Sequence, residues 1–197
     1  MHGLINTSIQ SFVMQVYGNA AWSEICLRAD LGFDRFETML TYDDGLTEAV
    51  IEAAVDVLGK DRGAILEDMG HHLVTNPASE PLRRLLRFGG ENFADFLHSL
   101  DELHDRVRLA LPDLELPRFD VREHAPGSFS LHFDWSASGL GQAVLGAIRA
   151  MADDYGTLAV LDYAPRGVHG ESETITVSLL ESHHAAGRDF ALARAEP

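Results

Sequence analysis

The hydrophobic repeat of this chain changes at Pro112. Before that proline the apolar residues recur at three- and four-residue steps; after it they alternate, return once to the helical step, and alternate again. A repeat near 3.6 leaves no single buried face on a strand, and a repeat of two leaves no single buried stripe on a helix. The order is therefore helices first, then strand, strand, helix, strand, strand. That order predicts an α+β fold: a helical N-terminal subdomain packed on a four-stranded antiparallel sheet with one inserted helix.

Leu4, Ile5, Ile9, Phe12, Val13, Val16 and Tyr17 make one helical face that stops at Gly18, and Asn19 can cap a second helix through about Arg28. After a loop containing Asp43-Asp44-Gly45, helices are expected over about 47–58 and 62–74, broken by Gly59 and by Asn76-Pro77. Ser79-Glu80-Pro81 opens a short helix ending near Phe88-Gly89-Gly90, and a long helix follows over about 91–111. Strands over 119–123 and 128–135 form a hairpin through the turn Ala125-Pro126-Gly127. A helix over about 139–155, stopped by Gly156, leads to a second hairpin, 157–163 and 174–180, joined through Gly167 and Gly170. Residues 1–184 read as one unit, helical over about 1–112 and α/β over about 113–184, with 185–197 as a frayed tail or short helix.

The formal charge is −16, from 31 acids against 15 bases, so phosphate backbones and anionic lipid surfaces would be repelled. Neither nucleic acid nor membrane is expected as a partner. The lone cysteine, Cys26, rules out an intramolecular disulfide and a thiolate zinc cluster, which suits a reducing compartment. The opening residues lack a secretory pattern and no apolar run is long enough to span a bilayer, giving a cytoplasmic expectation. No Gly-x-Ser-x-Gly elbow, phosphate-binding loop or His-Glu-x-x-His pattern occurs, so a non-enzymatic role is expected.

One residue breaks the apolar stripe of the helix expected over 91–111. Phe93, Phe96, Leu97, Leu100, Leu103, Val107 and Leu111 share a face, and His104 stands four residues after Leu100 and three before Val107. An imidazole aimed at buried space is either a hydrogen-bonded core histidine or a ligand for something held there, and periodicity alone leaves both open. His98, Asp101, Glu102 and Asp105 lie on the polar side of the same helix and read as a solvated acidic face. The adjacent pairs His71-His72 and His183-His184 diverge on a helix or strand, so neither makes a metal site by itself.

The opening Met1-His-Gly-Leu-Ile-Asn, the block from Phe96 through Leu103-His104-Asp105, the segment Leu116-Pro117-Arg118-Phe119, and Ser130-Leu-His-Phe133 leading through Gly139-Leu140 to Leu145-Gly146 occur in order. In that combination the chain resembles the H-NOX family of haem-based nitric oxide and oxygen sensors, which includes the sensor domain of soluble guanylate cyclase. The resemblance implies haem b (iron protoporphyrin IX) bound between the helical part and the sheet, with His104 as the proximal iron ligand and Pro117 pressing on the porphyrin from the same side. It places Ile5, Ile9, Leu73 and Ala143 around the gas pocket. Oxygen-binding members carry a tyrosine donor where Ala143 stands, so the resemblance implies a sensor of nitric oxide, able to take carbon monoxide, that discriminates against oxygen. Bacterial relatives of this kind act on histidine kinases or cyclic-dinucleotide enzymes, which implies a signalling partner of that type.

The chain departs from the family at one motif. The Tyr-x-Ser-x-Arg sequence that holds the haem propionates falls on Phe133, Trp135 and Ala137, which carry neither hydroxyl nor guanidinium. Arg118, Arg122 and Arg149 are the guanidiniums that could stand in. The other reading is a haem-free module of the same fold, serving as an interaction domain or a receptor for another hydrophobic ligand.

Overall fold

The computed structural model describes residues 1–110, 113, 114, 116–135, 139–167 and 172–180. Ala137, the helix stop expected at Pro112, Gly170 and the tail over 185–197 lie outside them.

Helix α1 (Gly3–Val16) starts where His2 Nδ1 accepts the Leu4 N–H at 3.1 Å. Gly18, at φ 89°, lets the chain turn directly into α2 (Asn19–Arg28). Helix α3 (Asp44–Leu58) begins earlier than its apolar repeat suggests, because Asp43 accepts the Gly45 N–H at 2.8 Å and caps it. Helix α4 (Arg62–Thr75) is capped in the same way by Asp61, which accepts from Gly63 at 2.9 Å and Ala64 at 3.3 Å. A short α5 (Glu80–Arg87) follows, with its proline in the first turn as expected.

The single helix expected over 91–111 is broken. Helix α6 (Phe93–Ser99) passes through a 3-10 turn, Leu100–Glu102, into α7 (Leu103–Ala110). Side chains there compete for the backbone. Ser99 Oγ donates to the Phe96 carbonyl at 2.8 Å, Arg106 donates to the Ser99 carbonyl at 2.9 Å, and Asp101 turns outward to accept the Val121 N–H at 2.9 Å. The apolar stripe runs on through the break, which is why its spacing does not reveal it.

The sheet comprises β1 (Arg118–Ala125), β2 (Ser128–Asp134), β3 (Ala159–Ala164) and β4 (Glu173–Leu179) in the order β1-β2-β4-β3, antiparallel throughout. Helix α8 (Gly141–Asp154) is the inserted helix between the hairpins. Phe119, Val121, Phe129, Leu131, Phe133, Ile175, Val177 and Leu161 share the inner face, by register. Arg118, Asp120, Arg122, Ser130, His132, Asp134, Thr174 and Thr176 share the outer one.

Two apolar clusters result. One joins α6, α7, α8 and the inner sheet face; the other joins α1 to α4 with Leu140 and Ala143, and Ile5 packs on both. Helices α4 and α8 link the two parts through small residues. A Cβ on Gly70 would overlap the Ala143 carbonyl, and one on Gly146 would overlap the Glu67 carbonyl. Large side chains at these positions would force the helices apart.

Candidate functional site

His104 occupies the second position of α7, just past the 3-10 turn. Its side chain is half-buried rather than enclosed, and its Nδ1 lies 3.1 Å from the Leu116 carbonyl oxygen. A carbonyl only accepts, so Nδ1 carries the hydrogen, and in the neutral ring the lone pair is on Nε2. Among the described residues nothing hydrogen-bonds Nε2. A ring fixed through one nitrogen with the other left basic is the state an imidazole needs as a metal ligand. Pro117, next to the accepting residue, is buried, and with no N–H it leads into β1 without an unsatisfied donor.

The four apolar residues assigned to a gas pocket do not all converge. Ile9 is 3% exposed and Ala143 8% exposed in the helical cluster, while Ile5 is half-buried between the two clusters. Leu73 is half-buried and belongs to neither cluster; Val74, 2% exposed, is the residue of that turn that enters the core. The reason is rotational: Gly63, Leu66, Gly70 and Val74 form the buried stripe of α4, and Leu73 stands off it. His72 turns to the Phe12 ring, 5.6 Å between centroids, and its Nε2 lies 3.2 Å from Asn76 Nδ2. Burial, and then His71, hold its pKa below the ordinary histidine range.

Alternation along the strand expected over 128–135 would put Phe133 and Trp135 on one face, but at the exit of β2 they part. Phe133 is 1% exposed, packed on Phe119 at 5.4 Å between centroids within the sheet cluster. Trp135 lies beyond the strand's last residue, where alternation no longer applies, and packs on the helical cluster. Phe133 offers a carboxylate no hydrogen bond, and Trp135 replaces a hydroxyl with a single indole N–H. The stand-in guanidiniums are elsewhere: Arg118 and Arg122 project from the outer sheet face, where Arg122 pairs with Asp120, and Arg149 pairs with Glu67 at 3.2 Å.

The inner face instead holds an acid that belongs to no motif of the sequence. Glu173 pairs across the sheet with Phe133, is 4% exposed, and accepts the Tyr163 hydroxyl at 2.7 Å. Burial and the carboxylate together raise the Tyr163 pKa. The alternation that puts Ile175 and Val177 inside carries Glu173 with them, so the signal was present.

This donor set fits a haem at one end only. A basic, oriented imidazole and an apolar seam suit the iron and the macrocycle. Two carboxylates at the exit of β2 would meet phenyl rings and an existing carboxylate, with no described cation on that face.

A recess of about 700 Å³ opens on the outer face between Arg118, Arg122, His132, Asp134 and Thr174. Beside it His124, Ser130, His132 and Thr174 form a hydrogen-bonded chain, with links of 2.8, 3.0 and 3.1 Å. Asp120 and Asp134 neutralise Arg122 and Arg166 there.

A family model described as Haem-NO-binding matches residues 2–161. Among curated proteins, soluble guanylate cyclase gcy-31 of Caenorhabditis elegans is 27% identical over 154 residues, 78% of this chain and 22% of that protein. Soluble guanylate cyclase 89Da of Drosophila melanogaster is 23% identical over 163 residues, 83% of this chain and 24% of that protein. The chain thus spans about a quarter of the length of these relatives. Among solved structures, the Fe(II) unliganded H-NOX protein from K. algicida superposes with a TM-score of 0.81 at 18% identity, covering 93% of this chain and 99% of that one. A mutant of T. tengcongensis H-NOX gives 0.76 at 19% identity, covering 93% and 100%. At these identities the likeness speaks to the fold: helices plus a four-stranded antiparallel sheet, as the repeat predicted.

Proposed function

Because this chain belongs to the Haem-NO-binding family, we propose that it is a gas-sensing domain that carries haem b on His104, takes nitric oxide or carbon monoxide, and signals to a partner protein. The supporting observation is the state of His104: Nδ1–H held by the Leu116 carbonyl at 3.1 Å, Nε2 without a described partner. Bound haem would supply the iron at which a diatomic gas is taken up. The chain's own part is to orient the ligand nitrogen, to offer Pro117 on the same side, and to line the opposite side with Ile5, Ile9 and Ala143. None of those three donates a hydrogen bond, so a ligand that depends on one, as partly anionic bound oxygen does, gains nothing there. A histidine kinase, a cyclic-dinucleotide enzyme or a cyclase are the partner classes to test, with residues 1–184 as the sensing unit.

The experiment is an absorption spectrum of the reduced, haem-reconstituted chain with and without nitric oxide. A Soret band that shifts with the gas and disappears in His104→Ala supports the reading. A band indifferent to His104→Ala, or none at all, overturns it.

A second reading is favoured by Phe133 and Glu173: the same fold serving a different hydrophobic ligand, or none, as an interaction module. Colour in the purified protein separates the two.

A further inference from the structure

Glu173 is a buried acid without a described counter-ion, and it stands where the sheet meets α8. Its carboxylate is pressed against Gly141, the first residue of that helix: a Cβ there would overlap Glu173 Oε2 and crowd the Tyr163 hydroxyl. It can move neither into α8 nor away from Tyr163 without losing a contact. A run of contacts connects it to the ligand histidine. His104 bonds Leu116, Pro117 leads to Phe119, Phe119 packs on Phe133, and Phe133 pairs with Glu173. The acid thus lies on the inner sheet face to which β1, entered just after the residue that His104 bonds, contributes Phe119.

We propose that Glu173 makes the β2 end of the ligand site selective against anions, so that the planar ligand carried by His104 presents an uncharged edge to Phe133 and Glu173. This rests on the reading of His104 as the ligand-bearing residue. Two carboxylates brought together in a low-dielectric region repel strongly unless a proton or a cation lies between them. Among the described residues the Tyr163 hydroxyl is spent on Glu173, Arg62 beside Gly139 is paired with Glu48 and Glu52, and Arg118, Arg122 and Arg149 face elsewhere. A porphyrin with free carboxylates must turn them away from this edge; one whose carboxylates are esterified has no such constraint.

The test titrates the full chain with iron protoporphyrin IX and with its dimethyl ester, each delivered in a mild detergent and followed by the His104-dependent Soret band. The ester is expected to bind about tenfold more tightly, a modest share of the cost of juxtaposed like charges. Glu173→Gln should bring the two affinities within about twofold by removing that charge. Tyr163→Phe, which keeps the carboxylate, should retain the preference. Equal affinities in the unaltered chain, or a preference that survives Glu173→Gln, overturns the proposal and leaves Glu173 as an acid that seats α8. Binding of neither compound overturns the reading of His104 instead, so the two failures are distinct. If Glu173→Gln does not fold, the ratio measured on the unaltered chain decides.

Discussion

Gly70 of α4 and Ala143 of α8 meet backbone to backbone, with no room between them for a methyl group. The carbonyl it would strike belongs to a helix and cannot swing aside as a flexible side chain can. Gly70→Ala is therefore expected to lower stability by about 1–3 kcal/mol. Urea unfolding should show this as a lower midpoint with an unchanged slope.

Thr47 donates to Asn6 Oδ1 at 2.7 Å between α1 and α3, and both side chains are almost wholly buried. Thr47→Val removes the donor but leaves the amide in place, so it should cost about 1–3 kcal/mol. Asn6→Leu combined with Thr47→Val should cost less than the two changes summed, since Asn6 Nδ2 already lacks a described partner. A double-mutant cycle by denaturant unfolding measures the coupling.

Asp154, 8% exposed at the end of α8, is held by Arg83 at 2.7 Å and by Arg87 at 3.2 Å. Asp154→Ala removes the carboxylate that Arg83 and Arg87 share and leaves the largely buried Arg87 guanidinium, stacked 4.0 Å over the Tyr155 ring, without that counter-charge although it keeps the Asp154 backbone carbonyl at 3.2 Å. A loss of about 3 kcal/mol is expected. The melting temperature of the variant against Arg87→Met separates lost pairing from lost packing.

His72 sets a pH dependence. Its pKa is depressed in the folded chain, mainly by burial, so the unfolded chain takes up its proton more readily. The stabilisation is complete above the ordinary histidine range, near pH 6.5, and is lost as the pH falls through the depressed value. Melting temperature should therefore decline from about pH 7 towards pH 5, and His72→Gln should flatten that decline. An unchanged profile in the variant would assign the decline to other groups.

The fold was legible because its evidence lies in sequence spacing. The change of repeat at Pro112 carried the class, and Ala125-Pro126-Gly127 carried the first hairpin. The break at Leu100–Glu102 was not legible, since Leu97, Leu100, Leu103 and Val107 stay buried across a 3-10 turn much as they would in a continuous helix. The site divides in the same way. His104 announced itself as a polar residue on an apolar stripe, but its fixed tautomer depends on the Leu116 carbonyl, a backbone atom that no side-chain pattern records. Arg118 and Arg122 looked available until the register put them on the outer face with Asp134 and Ser130. Leu73 and Val74 differ by one helical step, finer than an apolar run can resolve.

The contact from Asp101 to Val121 also bears on how such domains meet one another. Strand β1 lies at an edge of the sheet, and the Val121 N–H points away from β2. Left bare, such an edge is a template on which another chain can build a strand. The carboxylate of the 3-10 turn occupies that donor and lays a segment of chain over the edge. Edge-to-edge strand pairing is thus discouraged on the β1 side by the same break in the helix that sets His104 at the start of α7. The opposite edge, β3, with Val160 exposed on it, has no equivalent cover among the described residues and is the side where strand addition would begin.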